Sequence, residues 1–172
     1  MRTLYSSLVQ SYINYGLLVW GSSRSIGKVY TVQKKAIRII NNKPCHYHTE
    51  PLFKSCKILK IQDQYTYNVL TFMHQLKYNK LPRSFETIKY FEAINKPMTR
   101  RHQLAHYTKP RTAYTSLLPL HKYPRIWNEL DAVLHEVISG NCFRKRMKNI
   151  LMNKYKNHVT CVSTRCKQCF PL

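Results

Sequence analysis

The sequence predicts a mainly α-helical protein, with a small helical bundle, then an irregular basic arm, then a C-terminal basic helix. Three observations predict this class. Apolar residues recur every three or four positions in several segments, which is the period of an amphipathic helix. Prolines and polar residues interrupt that period between residues 93 and 124. The last periodic segment is rich in Lys and Arg and contains no acid.

Two helices are predicted on either side of a glycine-containing turn. In the first, Leu4, Leu8 and Tyr12, together with Tyr5, Val9 and Ile13, form an i, i+4 stripe that ends at Gly16. Of these residues, Leu4, Leu8 and Tyr12 are predicted to lie in the core. The second helix has an apolar side, formed by Val29, Val32, Ala36, Ile37 and Ile40. Its basic side comprises Lys28, Lys34, Lys35 and Arg38. Such a side can be a solvated surface, can follow a nucleic-acid backbone, or can do both.

Two further helices are predicted before the arm. Thr49 is expected to cap a short helix that continues through Phe53 and ends near Lys57, because threonine is a favoured N-cap. A longer helix is expected from about Asp63 to Asn79. Its apolar face comprises Tyr65, Val69, Phe72, Met73 and Leu76. Proline at Leu81-Pro82 stops this helix, since proline lacks a backbone donor.

The arm and the last helix complete the predicted organisation. Prolines at 97, 110, 119 and 124 are expected to interrupt any helix, so regular structure should resume near Ile126. The last helix is predicted from about Asn141 to Tyr155, with an apolar stripe of Phe143, Met147, Ile150 and Leu151. The sequence therefore suggests four parts: a helical region (1–92), an arm (93–124), a C-terminal helical segment (125–157) and a cysteine-containing tail (158–172).

Charge indicates the kind of partner. The chain has 29 Lys and Arg against 7 Asp and Glu, a net charge of +22, and such a surplus attracts polyanions. Nucleic acid is the leading partner, although a generally basic composition from an AT-biased genome can explain part of the surplus. Residues 144–167 carry eight positive side chains and no acid. The candidate nucleic-acid-binding residues are Lys28, Lys34, Lys35, Arg38, Arg100, Arg101, Arg144, Lys145, Arg146, Lys148, Lys154 and Lys156.

Two groups of Cys and His residues are candidate metal ligands. In the tail, His158, Cys161, Cys166 and Cys169 combine a C-x4-C-x2-C spacing with an imidazole, a set that suits tetrahedral Zn²⁺. The alternative, a tail with free thiols, is favoured because all four residues fall within a dozen positions. The second group, residues 45–48, is interpreted as a polar loop, since no further ligand pair lies close in sequence.

Enzymatic activity is not expected from this chain. Its seven carboxylates are scattered, whereas polymerases and nucleases cluster Asp and Glu around metal ions. Glu129 and Asp131 are the only near pair, and positions i and i+2 of a helix face different ways. No apolar run approaches the length of a membrane helix, and no signal peptide is recognisable. We therefore expect an intracellular protein, nuclear or cytoplasmic, with reduced thiols.

Residues 3–40 resemble the segment that follows the polymerase core in non-LTR (LINE-type, jockey-like) retrotransposon reverse transcriptases. The resemblance is carried first by Tyr15-Gly16, Trp20-Gly21 and Ala36-Ile37-Arg38-Ile39-Ile40. Further matching steps follow in the same order: His48-Thr49-Glu50-Pro51-Leu52-Phe53, Asp63-Gln64-Tyr65, Phe72-Met73, Leu81-Pro82, Thr99-Arg100, Arg111-Thr112, Trp127-Asn128-Glu129-Leu130 and Phe143-Arg144-Lys145. The similarity thus covers nearly the whole chain, although Asp131 stands where the family has proline.

This resemblance implies thumb-like and postpolymerase helices that grip template RNA, primer or nascent duplex. The parent family is an RNA-directed DNA polymerase, but its fingers, palm and catalytic motif are absent from this sequence. We therefore expect a non-catalytic C-terminal fragment: a truncated element copy or a partial reading frame. Two alternatives stay open. The chain can be a small zinc-binding protein that acts through its tail, or an element remnant without function that folds poorly alone.

Overall fold

The computed structural model describes residues 2–85, 87–88, 90–91, 105–106 and 110–155. These residues are mainly α-helical and include no strand, so the predicted fold class is confirmed. The helices are α1 (Arg2–Leu4), a π-helical segment (Tyr5–Gln10), α2 (Ser11–Asn14), α3 (Leu17–Trp20), α4 (Ile26–Ile40), α5 (Glu50–Cys56), α6 (Ile61–Lys77), α7 (Pro119–Asn128), α8 (Ala132–His135) and α9 (Gly140–Asn153), with short 3₁₀ turns at Arg83–Phe85 and Thr115–Leu117.

The chain divides into two compact units. The first comprises Met1–Tyr65 and Met147–Leu172, and the second comprises Thr66–Arg146. Helices α6 and α9 each contribute residues to both units. Among the described residues, we find no helix that combines the length and the apolar character needed to cross a membrane. The four-part division expected from sequence stays a prediction.

The first unit buries one side of its N-terminal helices against α4 and α5. Tyr5, Leu17, Ile37 and Phe53 are almost completely buried. Gln33 is fully buried among them, and its side chain satisfies three groups. Its amide nitrogen donates to the Tyr5 hydroxyl at 3.0 Å and to the Leu59 carbonyl at 3.0 Å, while its oxygen accepts from the Ile61 amide at 2.9 Å. Gln33 therefore joins the π-helical segment and the start of α6 to α4.

Tyr155 follows α9 and holds the end of that helix in the first unit through hydrogen bonds to Lys60 and Asp63. Its hydroxyl donates to the Asp63 carboxylate at 2.6 Å and accepts from the Lys60 amide at 2.8 Å. Burial raises the pKa of Tyr155 far above its usual value, and the bond to Asp63 raises it further. The Lys60 ammonium lies 4.6 Å from the Tyr155 ring centre and also pairs with Glu50.

Two glycines shape the turns on either side of α3. Gly16 has a φ of 61°, in the left-handed region that glycine adopts without steric cost. Gly21 lies against the Tyr65 ring, where an added Cβ would be 2.3 Å from Tyr65 Cδ2 and 2.5 Å from the Leu17 carbonyl oxygen. Glycine is therefore required at residue 21 by close packing, and at residue 16 by backbone conformation.

The second unit is built around aromatic side chains. Val69 and Met73 of α6, Trp127 of α7 and Phe143 of α9 are fully buried. The His74 ring stacks on Phe143 with ring centres 4.4 Å apart, and its Nε2 donates to the Val137 carbonyl at 2.7 Å. A second buried histidine, His135, packs edge-on against Trp127 at 4.8 Å.

Part of the predicted core is exposed, which corrects the sequence interpretation. Leu4, Leu8, Tyr12 and Val32 are 60%, 59%, 81% and 61% exposed, and Ile150 also lies at the surface. The N-terminal helical segment, residues 2–14, carries two adjacent apolar stripes, and only the one containing Tyr5 and Ile13 is buried. Periodicity located the helix correctly, but it cannot decide which of two apolar stripes meets the core.

The predicted arm also ends earlier than expected. Helix α7 starts at Pro119 and contains Pro124, although both prolines were predicted to prevent a helix. Pro119 occupies the first turn, where the missing N–H has no helical partner in any case. Pro124 lies inside the helix and is buried beside Tyr123 and Trp127. Because those neighbours are buried with it, tertiary packing offsets the lost backbone hydrogen bond.

Candidate nucleic-acid interface

Helix α4 carries four of the predicted basic residues, and these differ in how far their side chains are exposed to solvent. It buries Gln33 and Ile37, so Lys28 and Lys35 on its other sides are exposed. Lys34 and Arg38 are half-buried and have local roles. Arg38 Nε donates to the Tyr47 carbonyl at 2.9 Å, and the Lys34 ammonium lies 4.7 Å from the Tyr30 ring centre. Lys28 and Lys35 are thus the α4 cations most accessible to a polyanion.

Helix α9 presents the second basic face. Its buried stripe, Phe143, Met147 and Leu151, holds the helix against the protein. The exposed cations along and just after the helix are Lys145, Arg146, Lys148 and Lys154, while Arg144 is half-buried. Residues 145 and 148 are three apart and so neighbour each other on the helix surface. Lys145, Arg146, Lys148 and Lys154 are therefore accessible and Arg144 is less so, while their contact with nucleic acid stays a prediction.

In the first unit, few acidic side chains are available to neutralise these cations. Glu50 and Asp63 are the only carboxylate side chains among its described residues. Glu50 pairs with Lys60, and Asp63 accepts the hydrogen bond from Tyr155. Because both acids are engaged in structural contacts, the exposed lysines of this unit keep a positive field around them.

The second unit has a more mixed surface. Its exposed ion pair joins Arg125 and Glu129 across one helical turn, with Nε and Oε1 3.2 Å apart. Exposed pairs of this kind contribute little to stability. Asp131 and Glu136 are also exposed. In this unit, the positive charge at α9 therefore comes from residues 144–146, and not from a general absence of acidic side chains.

Several predicted site residues lie outside the described residues. These are Arg100, Arg101, Lys156 and the candidate zinc ligands His158, Cys161, Cys166 and Cys169. Within the part of the chain that the structure describes, no group of three Cys, His, Asp or Glu side chains is placed to hold a metal ion. Residues 45–48 form a mostly exposed loop after α4, which agrees with the polar-loop interpretation.

One surface of the first unit was not predicted from the sequence. A groove of about 680 Å³ lies between the N-terminal helices and α4, and its lining is almost entirely apolar. It is lined by residues that include Leu8, Tyr12, Val19, Trp20 and Val32. The Trp20 indole is fixed by a hydrogen bond from Nε1 to the Tyr15 carbonyl at 2.7 Å. The paired apolar stripes of the first helix were the available signal, because a surface helix needs only one.

Known proteins provide no guide to the role of this site. No protein-family model, curated protein or solved structure matches this chain. The resemblance to non-LTR reverse transcriptases therefore stays a prediction from ordered motifs. The charge, exposure and local contacts of α4 and α9 are the observations available for a functional proposal.

Proposed function

We propose that this chain binds RNA or DNA as a non-catalytic segment like the C-terminal region of a non-LTR retrotransposon reverse transcriptase. The observation that supports this most is the exposed basic face of α9, within a region that has no acid after Glu136. The exposed Lys28 and Lys35 of α4 support it further. The ordered resemblance points in the same direction.

The proposed contacts are made to phosphates. Lysine presents a strongly hydrated point charge that suits phosphate oxygens without a fixed geometry. Contacts to phosphate give affinity and register but carry no direct sequence information. Each neutralised phosphate releases counterions, so binding should weaken as salt rises. The expected activity is therefore binding that depends little on nucleotide sequence.

Catalysis is not part of the proposal. The few carboxylates that the structure describes are spread over α5, α6 and the α7–α8 region. Glu50 and Asp63 are occupied by Lys60 and Tyr155. A role in gripping template or product beside a separate polymerase domain needs only affinity, and the basic helices can supply it.

Three double variants with equal changes in net charge test the proposal. Lys145→Glu with Lys148→Glu removes two exposed cations of α9, and Lys28→Glu with Lys35→Glu removes two of α4. Arg83→Glu with Arg111→Glu changes two exposed arginines that belong to neither helix and serves as the control. Circular dichroism and thermal melting first establish that each variant is folded. Affinity for labelled RNA and DNA is then measured by fluorescence anisotropy.

The two helix variants should each lose affinity by about tenfold or more, because two phosphate contacts are replaced by repulsion. The control variant should lose much less. An equal loss in all three variants would show that only overall charge matters. Unchanged affinity in both folded helix variants would contradict the proposal.

A further inference from the structure

The apolar groove of the first unit is exposed, and Leu8, Tyr12 and Val32 in its lining are each more than half exposed. Its volume of about 680 Å³ is within the range of binding clefts. Contiguous exposed apolar side chains of this kind often mark interaction sites. The stripe of Leu4, Leu8 and Tyr12 continues from the groove along the N-terminal helix, whose π-helical segment is a feature found often at functional sites.

The chemistry of the groove favours a protein partner over a nucleic acid. Its lining offers very few polar atoms, whereas a base needs partners for its ring nitrogens and amino groups. Its concave shape between the N-terminal helices and α4 also favours a helix over a membrane surface. An amphipathic helix places apolar residues at i, i+3, i+4 and i+7 into such a groove.

The charges around the groove indicate the character of that helix. Residues 2–49 contain seven Lys and Arg and no Asp or Glu. On α4, the exposed Lys28 and Lys35 lie four residues before and three residues after Val32, which lines the groove. Residues at these spacings neighbour each other on a helix, so two cations flank the apolar lining. A second copy of the chain would bring like charges together and is disfavoured.

We propose that this groove binds an amphipathic helix of a partner protein whose apolar face is flanked by Asp and Glu. The apolar residues fill the space beside Trp20 and Val32, and the partner's acids face Lys28 and Lys35. The proposal does not depend on nucleic-acid binding, because its occupant and its lining residues are different. Only Lys28 and Lys35, which flank the groove, take part in both this proposal and the proposed phosphate contacts.

A displayed peptide library provides the probe. Each peptide is about 16 residues long, or roughly four helical turns, with apolar residues fixed at helical spacing and all other positions varied. The library is selected on the full chain and counter-selected on Val32→Glu, which places a charge in the groove. Val133→Glu is the matched control, because Val133 is 69% exposed on α8 in the second unit. Selected peptides are then synthesised and their affinities measured by anisotropy.

The expected result is enrichment of peptides with Asp and Glu beside the apolar face. They should bind Val32→Glu at least about tenfold more weakly than the parent, and Val133→Glu within about twofold. Lys28→Glu with Lys35→Glu should also weaken them. Failure to enrich peptides, enrichment of basic ones, or equal binding to Val32→Glu would overturn the proposal. It would also be overturned if Val32→Glu abolished self-association, or binding to phosphatidylserine vesicles, while no peptide bound.

Discussion

Gln33 is a buried polar residue on the helix that also carries the basic face. Gln33→Met keeps most of its volume but leaves the Ile61 amide, the Leu59 carbonyl and the Tyr5 hydroxyl without their partner. We expect this change to lower the free energy of unfolding by about 2–4 kcal/mol, since unsatisfied buried groups lose their solvation. Denaturant unfolding measures it. Lys35→Met on the exposed side of α4 is the control and should change stability little.

Replacing two glycines that are close in sequence with alanine should change the stability of the protein in opposite directions. Gly21→Ala places a methyl group against the Tyr65 ring and the Leu17 carbonyl, so it should destabilise the protein by about 1–3 kcal/mol. Gly27 lies in the first turn of α4, with open space where an added Cβ would be. Gly27→Ala should therefore stabilise the protein by about 0.5–1 kcal/mol. Thermal melting of both variants measures the difference. Equal melting temperatures would contradict the close packing at Gly21.

At the scale of the helix, the sequence predicted positions better than faces. Helices α5 and α9 lie within a few residues of their predicted bounds, because periodicity is a local signal, although the Thr49 side chain makes no capping hydrogen bond to α5. The buried side of the N-terminal helix was predicted wrongly, since both of its stripes are apolar and the choice depends on distant residues such as Ile37 and Phe53. The hydrogen bonds of Gln33 likewise depend on contacts with residues more than 25 positions away.

The packing of α6 makes the second unit sensitive to acid. Burial lowers the pKa of His74, the bond to the Val137 carbonyl opposes this, and Lys77, Lys80 and Arg144 lower the pKa further. Burial also lowers the pKa of His135. Below the usual histidine pKa of about 6.5, the unfolded chain binds protons that the folded chain does not. Stability should therefore fall as pH decreases from about 6.5 through the lower folded-state pKa values.

Melting temperatures at several pH values test this expectation. The parent should lose stability between about pH 7 and pH 5, and His74→Gln should reduce that loss because it removes one of the two buried titrating groups. His46→Gln, which changes an exposed loop histidine, serves as the control variant. A parent whose melting temperature is constant over this range would contradict the effect of burial.

For the whole molecule, the sequence indicated which residues of α4 and α9 are basic but gave no account of the groove, and the binding role of those basic residues stays a prediction. Charge is readable residue by residue, and exposure on α4 and α9 follows from the buried stripes opposite. Arg38 and Arg144 are less accessible than the other cations, because both are half-buried and Arg38 also donates to the Tyr47 carbonyl. The groove was not predicted, because the second apolar stripe of the first helix indicates an exposed apolar surface but not the side chains of residues 19–33 that complete the lining.

The purified chain should also lack polymerase activity. The seven carboxylates are scattered along the sequence, whereas the pair of metal ions that nucleotide transfer requires is usually held by clustered Asp and Glu. Primer extension with Mg²⁺ or Mn²⁺, on RNA and DNA templates, should give no product above that of a boiled sample. Extension that persists through purification and is lost in a variant of the chain would contradict this prediction.

The most direct test of nucleic-acid binding is its salt dependence in the unaltered chain. Affinity is measured for two oligonucleotides of unrelated sequence over a range of salt concentrations. If three to five phosphates are engaged, the slope of log affinity against log salt should be about −2 to −4 and nearly equal for both oligonucleotides. A slope near zero, or strong binding to only one of the two sequences, would contradict binding through the basic helices.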